Sequence, residues 1–464
     1  MSNSQSLTQS PTNKRYWEIF RADALESEGL EAAMKIVLAC YGSRGDVEPS
    51  VVVGRELLSR GHDVQMAVSP NLVSFTEATG IPAVAYGVDT KTVVEAQRNY
   101  WAYAFRAPWK VQKLRKIARE IKEINSRCSE KMTATLVSIT EGADLLVTGL
   151  TFEQPAADVA EHYNIPLATL DYYPVRANGQ LLPFPPGPLI RLGWTLGEWL
   201  TWRTMKRAED KRRRELGLSK ATKPASRRIA ERGSLQIQAY DEVWFPGLAA
   251  EWARFERQRP FVGTLTMESQ SDADDAVASW IAAGTPPIFF GFGTIPIASP
   301  DEMITMISAA CEQLGERALI CAGSTDFGKT PQFEHVKIVE TMNYATAFPT
   351  CRAVVHHGGA GTLAAGLRAG VPTLILWNLP DQPIWGAQLK RLKVGTSRRF
   401  SSTTEKSLVA DLRAILAPKY LTRAREIATR MSKPADSILA AADLLEEFGR
   451  AQRIELIGGG RRSK

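Results

Sequence analysis

Residues 351–377, CRAVVHHGGAGTLAAGLRAGVPTLILW, contain the unit that recurs along most of the chain. The run RAVVHH predicts a short apolar strand, HHGGAGT a glycine-rich turn, TLAAGLRAG a helix, and VPTLILW a second strand. Continuous apolar strands joined by helices are typical of a parallel sheet that is covered on both faces. This stretch therefore predicts an α/β fold with Rossmann-like topology.

The same alternation extends outward in both directions and forms two series. The first series of predicted strands is KIVLACY, HDVQMAV, PAVAY, ADLLVTG, PLATLDYY and LQIQAYDEVWFP. The second is PPIFFGFG, RALICAG, HVKIVE, RAVVHH and VPTLILW, and the acidic stretch TMESQSDADDA separates the two. Two doubly wound parallel-sheet domains in tandem predict a cleft at the carboxyl ends of both sheets.

The predicted division of the chain has six parts. They are an N-terminal extension at 1–33, a first domain at 34–260, a linker at 261–284, a second domain at 285–432, a helix at 433–450 that packs back on the first domain, and a tail at 451–464. Because Met34 directly precedes the first strand, either Met1 or Met34 can be the natural start.

The turn at 356–362 has the chemistry of a phosphate-binding site. Gly359 and Gly361 let the backbone approach an anion closely, and the following helix N-terminus offers N–H groups and the positive end of a dipole. Thr362 adds a hydroxyl donor, and His357 can donate from its ring to a diphosphate leaving group without a metal ion. The alternative is a glycine-rich turn around buried histidines, which the coincidence of strand, glycines, helix start and two donors disfavours.

Three further positions in the second series fit the same ligand. Asp381 and Gln382 follow VPTLILW, where a carboxylate and an amide can bind the vicinal hydroxyls of a sugar, although alone the pair would be only a helix cap. Gly293 and Thr294 end PPIFFGFG and could hold the diphosphate from the opposite side. Asn343 follows HVKIVE, where a nucleotide base could rest.

The loop after the first strand, GSRGDVEP at 42–49, supplies a candidate base. It lacks the GxGxxG spacing, which disfavours a nicotinamide dinucleotide. Asp46 at the rim of a cleft can accept the proton of an attacking hydroxyl, a contribution of about 10²–10⁴-fold. Without that context Asp46 would be read as an N-cap. Asp171, within PLATLDYY, is the second candidate base.

Composition excludes several classes of protein. The chain has 464 residues with no apolar run near the ~20 that a membrane span needs, and its N-terminus has no signal-peptide pattern, so a cytoplasmic protein is predicted. Five dispersed cysteines indicate free thiols in a reducing compartment. The acidic run at 272–275 resembles a DxD metal site but falls in the linker, so no metal is predicted.

The net charge of +7 is concentrated between Arg203 and Arg232. Solvated helix faces are one explanation. Attraction to an anionic membrane surface is another, supported by the neighbouring Trp194, Trp199 and Trp202. Nucleic acid is disfavoured because no recognition motif accompanies the charge.

The motifs GSRGDVEP, FFGFGT, HHGGAGT and PDQPIWG resemble, in order and spacing, the GT-B glycosyltransferases that include antibiotic, macrolide, sterol and plant secondary-metabolite transferases. The resemblance implies inversion at the anomeric carbon, an acceptor in the first domain and a nucleotide sugar in the second. It assigns the diphosphate to His357, Thr362 and Thr294, and the sugar to Asp381 and Gln382.

The plant members' catalytic histidine is absent here, and the pattern resembles bacterial members in which the aspartate of GxRGDxEP, here Asp46, is the base. The stretches VRANGQLLPFPP, RRIAERGSLQIQAYDEVWFPGLAAEW and 351–377 are similar to mycobacterial transferases that add rhamnose or 6-deoxytalose to glycopeptidolipids. The expected donor is dTDP- or UDP-linked, with no other cofactor, and the expected acceptor is a lipid or glycopeptidolipid. A sterol or secondary-metabolite glucosyltransferase, a nucleotide-sugar epimerase or hydrolase, and a non-catalytic nucleotide- or lipid-binding protein are the alternatives.

Overall fold

Two parallel sheets with the same strand order organise the molecule. The computed structural model describes residues 32–93, 95–96, 100, 103, 109–181, 186–267, 274–293, 299–323, 331–379 and 382–459. The strands of the first sheet are β1 (Lys35–Cys40), β2 (Asp63–Val68), β3 (Ala83–Ala85), β4 (Leu145–Gly149), β5 (Leu167–Asp171) and β6 (Leu235–Gln238). Those of the second are β7 (Ile288–Gly291), β8 (Ala318–Cys321), β9 (Val336–Val339), β10 (Ala353–His356), β11 (Thr373–Trp377) and β12 (Gly395–Arg399).

Helices cover both faces of each sheet. Those of the first half are α1 (Arg44–Ser59), α2 (Val73–Glu77), α3 (Val111–Thr140), α4 (Glu153–Tyr163), α5 (Gly187–Glu215), α6 (Ala225–Glu231) and α7 (Leu248–Glu251). Those of the second are α8 (Asp274–Ala282), α9 (Pro300–Leu314), α10 (Tyr344–Ala347), α11 (Ala360–Arg368), α12 (Gln382–Leu392), α13 (Glu405–Ile415), α14 (Pro418–Ala428) and α15 (Pro434–Gly459).

The strand order is β3-β2-β1-β4-β5-β6 in the first sheet and β12-β11-β10-β7-β8-β9 in the second. Every described pairing within the two sheets is parallel. This is the doubly wound Rossmann order, and it confirms the predicted α/β class. The order reverses between β1 and β4 in one sheet and between β7 and β10 in the other, so each sheet has a crevice at that point.

The last helix leaves the second half of the chain and packs on the first sheet. Ala442 and Leu445 of α15 are fully buried in the core that contains Ile36 and Leu38 of β1. On the rim of this contact, Nη1 of Arg60 lies 2.6 Å from Oδ1 of Asp443. The chain therefore crosses between the two sheets twice, once before α8 and once before α15.

A hydrophobic cluster joins the two halves directly. The ring of Trp385 on α12 lies 5.5 Å from that of Trp244 and 5.6 Å from that of Phe245, both from the first half. Beside the cluster, Nε2 of Gln388 donates to the carbonyl of Leu181 at 2.9 Å. Aromatic packing thus holds the two halves together, a contact that the sequence does not predict.

Four segments differ from the predictions. The last helix, predicted to end at 450 before a tail, continues to Gly459. The strand predicted at 235–246 ends at Gln238, since Glu242–Trp244 form a 3₁₀ turn. Residues 274–282 of the predicted linker form α8, because Val277 and Ile281 are buried against the second sheet. The strand β12 was missed because GTSRR is polar and carries no apolar run.

Candidate active site

The predicted chemistry-bearing loops fall at the two switch points. The loop from Gly42 to Asp46 follows β1, and Thr151 and Phe152 follow β4. In the second sheet Gly293 follows β7 and the turn at 357–359 follows β10. Because ligands of open α/β sheets bind at such points, each half of the chain presents one half of a site.

Asp46 lies in the first turn of α1 and its carboxylate is held by three donors. Oδ2 accepts from the backbone N–H of Ser43 at 2.6 Å and from the Ser43 hydroxyl at 2.8 Å. Oδ1 accepts from the hydroxyl of Tyr172 at 2.8 Å. The contacts with Ser43 belong to a capping box in which Ser43 is the N-cap, so Asp46 is not the N-cap itself.

The environment of Asp46 suits a proton acceptor. Burial raises the pKa of its carboxyl above the ordinary value, and the hydrogen bonds from Ser43 and Tyr172 act in the opposite direction. The side chain is half-buried and therefore still reachable from the cleft. A carboxylate with a raised pKa binds a proton more strongly, which is the property of a general base.

Gly42 creates the space that this carboxylate occupies. Its φ is +145°, and a Cβ at this position would lie 2.3 Å from Oδ2 of Asp46. No side chain can therefore be added at Gly42 without moving Asp46.

Asp171, the second candidate base, is enclosed. It has no exposed surface, and its Oδ2 lies 3.2 Å from Nε of Arg176. Arg176 in turn lies 3.0 Å from Oε2 of Glu153. Asp171 thus belongs to a buried ion-pair chain, and the geometry favours Asp46 for contact with an acceptor hydroxyl.

His357 lies between two glycines on neighbouring strand ends. A Cβ on Gly293 would lie 2.5 Å from Cε1 of His357, and a Cβ on Gly359 would lie 2.7 Å from its Nε2. Burial lowers the pKa of His357, an effect that the Gly291 backbone partly offsets. The ring is therefore neutral at pH 7 and can donate one N–H.

The other histidine of the pair has a structural role. His356 is fully buried at the end of β10, and its Nδ1 accepts from the N–H of Gly358 at 3.1 Å. Gly358 has φ +101°, which only glycine adopts readily, so the chain turns sharply here before α11 begins.

The N-terminus of α11 is open to a ligand. Gly359 is its N-cap, and the first N–H groups of a helix have no partner within the helix. Gly361 is exposed, with nothing within 4 Å of the place a Cβ would take, and Thr362 is half-buried. The predicted anion cradle therefore has the backbone geometry that an anion requires.

Two of the other predicted donor-binding residues make hydrogen bonds of their own. Oε1 of Gln382 accepts from the N–H groups of Asn378 at 2.7 Å and Leu379 at 3.0 Å, which leaves its amide N–H₂ as the group to offer a sugar. Oδ1 of Asn343 accepts from the N–H of Ala345 and so caps α10. Thr294 and Asp381 lie outside the described residues.

A cavity of about 530 Å³ opens in the first half of the chain, between the residues that follow β4 and helix α5. Its apolar lining is Leu150, Phe152, Val175, Trp194, Trp202 and Met205, and its charged lining includes Glu153, Arg176, Glu209 and Arg212. The ring of Phe152 lies 5.4 Å from that of Tyr41, which directly precedes Gly42. The hydroxyl of Thr151 lies 3.4 Å from that of Tyr172, the partner of Asp46. The residues at 150–152 after β4 thus connect the cavity wall to the neighbourhood of the candidate base.

Part of the basic stretch is buried beside this cavity rather than solvated. Asp158 has no exposed surface and accepts from Arg212 at 2.8 Å, Arg213 at 2.7 Å and Arg228 at 2.9 Å. Such a network fixes α5 and α6 to α4 and leaves fewer arginines for external partners. The basic residues of this stretch therefore fall into two groups, one buried in structural ion pairs and one exposed at the surface.

Neither Tyr172 nor the cavity is predictable from the sequence. Tyr172 directly follows Asp171, but nothing in the sequence places its hydroxyl beside Asp46, 126 positions away. Within the described residues no group of three or more His, Cys, Asp or Glu side chains could hold a metal ion, and no helix is long and apolar enough to span a bilayer.

Two family descriptions match this sequence. Residues 36–139 match the N-terminal domain of glycosyltransferase family 28, and residues 321–445 match the C-terminal domain of proteins like erythromycin biosynthesis protein CIII. The first match includes Asp46 and the second includes His357, so each contains one half of the site.

Whole-chain relatives agree with these matches. The uncharacterized glycosyltransferase Rv1524 of Mycobacterium tuberculosis is 58% identical over 424 residues, which cover 90% of this chain and 100% of that protein. Among solved structures, the glycotransferase of kitacinnamycin has a TM-score of 0.67 at 16% identity, with 90% of this chain and 99% of that one covered. VinC, solved in complex with dTDP, has a TM-score of 0.60 at 17% identity, with 90% and 100% covered. At these identities the structural likeness shows the shared two-domain fold.

Proposed function

Because this chain belongs to the GT-B glycosyltransferases, with a family 28 N-terminal domain and an EryCIII-like C-terminal domain, we propose that it is an inverting transferase of hexose or 6-deoxyhexose units. Rhamnose and 6-deoxytalose are the favoured sugars, and a hydroxyl of a lipid or glycopeptidolipid is the favoured acceptor. The reaction belongs to the assembly of cell-envelope glycolipids.

The observation that carries the proposal is the placement of Asp46 and His357 at the switch points of the two sheets. Arg44 and Glu48 of α1 act in opposite directions on the pKa of Tyr344 of α10, which burial raises, so these elements of the two halves lie within electrostatic range of each other. A base on one side and a neutral ring donor on the other is the arrangement that transfer from a diphosphate carrier needs.

In the proposed step Asp46 takes the proton of an acceptor hydroxyl as its oxygen bonds to the anomeric carbon. The bond from that carbon to the diphosphate oxygen breaks on the opposite face, so the configuration inverts and the electron pair leaves with the diphosphate. His357, Thr362, Thr294 and the N–H groups at Gly359 and Gly361 stabilise the departing charge. These protein groups take the role that a metal ion has in other transferases.

The other proposed contacts with the donor are assigned from where the residues lie in the loops of the second sheet. Asp381 and the amide N–H₂ of Gln382 orient the sugar, Gly293 approaches the diphosphate, and Asn343 lies where the base rests. The dTDP bound in VinC supports a dTDP- or UDP-linked donor. Holding both reactants in register contributes to the rate independently of proton transfer.

The cavity supports an amphipathic acceptor. Its walls combine aromatic and aliphatic side chains with eight charged ones, so it suits a molecule with both apolar and polar parts. A sterol or secondary metabolite with UDP-glucose is the second candidate, since the same apolar walls would accept a fused-ring system. We place the enzyme in the cytoplasm, at the inner face of the plasma membrane where a lipid acceptor would lie.

The test is a donor screen against a mycobacterial lipid extract, read by mass spectrometry, with dTDP-rhamnose, dTDP-6-deoxytalose and UDP-glucose in parallel. We expect a 6-deoxyhexose added to a lipid, an inverted anomeric configuration by NMR, and unchanged turnover in EDTA. Asp46→Asn is the matched control and should give no product. Donor binding without consumption of any donor would instead identify a non-catalytic nucleotide- or lipid-binding protein, and turnover without an acceptor would identify a hydrolase or epimerase.

A further inference from the structure

Helix α5 exposes a row of large apolar side chains. The exposed fractions are 57% for Leu189, 64% for Leu192, 52% for Leu196, 44% for Trp199 and 50% for Leu200. These are five of the eight large hydrophobic residues that are exposed in the described part of the chain. Their spacing of three and four residues places them on one face of the helix.

In its C-terminal half, the side of α5 that faces the protein carries charge. Its buried residues are Glu209, Arg212 and Arg213, of which both arginines pair with Asp158. An ordinary surface helix buries its apolar stripe and exposes its charges. In α5 the inner side carries apolar residues such as Trp194 in its first half and charged ones in its second half, and the leucine row lies on the opposite, exposed face, outside the core.

The same face continues as a basic surface. Arg203, Arg207 and Arg214 follow Leu196 and Leu200 at helical spacing and are exposed. The guanidinium of Arg203 lies 5.2 Å from the ring of Trp199, so the apolar and basic parts adjoin. The acidic residue on this face, Asp210, is paired with Lys206 at 3.0 Å, which leaves the face with a positive charge.

We propose that this face of α5, defined by Leu189, Leu192, Leu196, Trp199, Leu200, Arg203, Arg207 and Arg214, docks on an anionic lipid surface. The leucines lie at the boundary of the acyl chains, Trp199 at the headgroup level, and the arginines on the lipid phosphates. A row that is apolar at one end and cationic at the other matches this partner in both chemistry and charge.

The docking face and the cavity lie on opposite sides of helix α5. Trp194, Trp202 and Met205, on the inner side of the same helix, line the cavity. A lipid acceptor would therefore pass around one helix to travel from the membrane to the cavity. Only this consequence rests on the proposed function, because docking itself needs neither donor nor acceptor.

Co-sedimentation of the full chain with vesicles tests the proposal. One set contains phosphatidylcholine alone and the other equal parts of phosphatidylcholine and phosphatidylglycerol. We expect binding to the anionic set that weakens as salt is added, and roughly tenfold or greater loss in Leu192→Ser with Leu196→Ser. Leu439→Ser, at another exposed leucine, is the control and should bind like the unchanged chain.

The charge contribution is tested separately. The double variant Arg203→Gln with Arg207→Gln should lose binding to anionic vesicles. The control, Lys406→Gln with Arg413→Gln on α13, removes the same number of charges from another exposed surface and should bind these vesicles like the unchanged chain. All these positions are exposed, so circular dichroism should show unchanged folding. Equal vesicle binding by the leucine variant and the unchanged chain would overturn the proposal. Light scattering that shows a dimer, lost in the leucine variant, would assign the face to a second copy and overturn it as well.

Discussion

The hydroxyl of Tyr172 lies 2.8 Å from Oδ1 of Asp46 and donates a hydrogen bond to it. This bond joins the end of β5 to the first turn of α1, and together with the two bonds from Ser43 it fixes the direction of the carboxylate. The strength with which Asp46 holds a proton therefore depends on residues of both loops, and each can be changed separately.

Asp46→Asn should lower kcat by about 10²–10⁴-fold, because the amide cannot accept the proton of the acceptor hydroxyl. Donor affinity should be nearly unchanged, since the proposed donor site lies on the other sheet. Turnover on the identified acceptor and calorimetric titration with dTDP or UDP measure the two effects. Asp63→Asn, at an exposed position at the start of β2, should leave both unchanged. Wild-type turnover in Asp46→Asn would remove this residue from the role.

Tyr172→Phe should move the acid limb of the pH–rate profile to higher pH. The base works as a carboxylate, so the rate rises with pH through the Asp46 pKa, which burial already raises above its ordinary value. The Tyr172 hydrogen bond lowers that pKa, and its loss raises it further. The dependence of kcat/KM on pH measures the shift. An unmoved acid limb would show that Asp46 is not the group that titrates.

Gly42→Ala should reduce turnover by roughly 10²-fold through displacement of Asp46. Its Cβ would lie 2.3 Å from Oδ2 of Asp46, and the residue has φ +145°. Gly45→Ala is the matched control three residues along, where the nearest atom to a new Cβ is the Ser43 hydroxyl oxygen at 3.9 Å. That change lies inside α1 and should keep activity. Equal activities in the two variants would contradict the need for space at Gly42.

Gly293→Ala should weaken binding of dTDP or UDP by about 10–100-fold, the loss expected when one hydrogen bond to a charged group is broken. The added Cβ would lie 2.5 Å from the His357 ring and displace it. Gly315→Ala is the control: φ is +67° at Gly315 and +62° at Gly293, so the backbone strain is similar, but no atom lies within 4 Å of the Cβ added at Gly315. It should cost about 1–2 kcal/mol of stability and leave nucleotide binding intact.

Trp385→Ala should lower the free energy of unfolding by about 3–5 kcal/mol, because the ring is buried against Trp244 and Phe245. Since this contact joins the two halves, urea unfolding should change from one transition to two. Trp199→Ala removes the same side chain from an exposed position and should change stability by less than about 0.5 kcal/mol. A small effect of Trp385→Ala would show that the halves are held together elsewhere.

Much of the fold was predictable because the strands are short apolar runs between helices. Ile36, Val37 and Leu38 of β1, and Val354 and Val355 of β10, are fully buried, or nearly so, as their pattern requires. The pattern of apolar runs does not predict elements that are polar in sequence but belong to a sheet or pack against one. The edge strand β12 has the sequence GTSRR, and α8 follows an acidic stretch that reads as solvated.

The candidate site was predictable where local backbone chemistry defines it, as in the glycine turn around His357. It was not predictable where distant segments meet. The Tyr172–Asp46 bond, the enclosure of Asp171 by Arg176, and the burial of Arg212 and Arg213 against Asp158 all join residues whose proximity only the folded chain creates. Thr294 and Asp381 stay predictions.

The return of α15 to the first sheet constrains how this scaffold can be recombined. A chimera made with a single junction between the sheets would separate Ala442 and Leu445 from the core that they complete around β1. Exchanging the second half with that of a relative therefore calls for two junctions, one before α8 and one before α15, so that the native C-terminal helix stays with the sheet on which it packs.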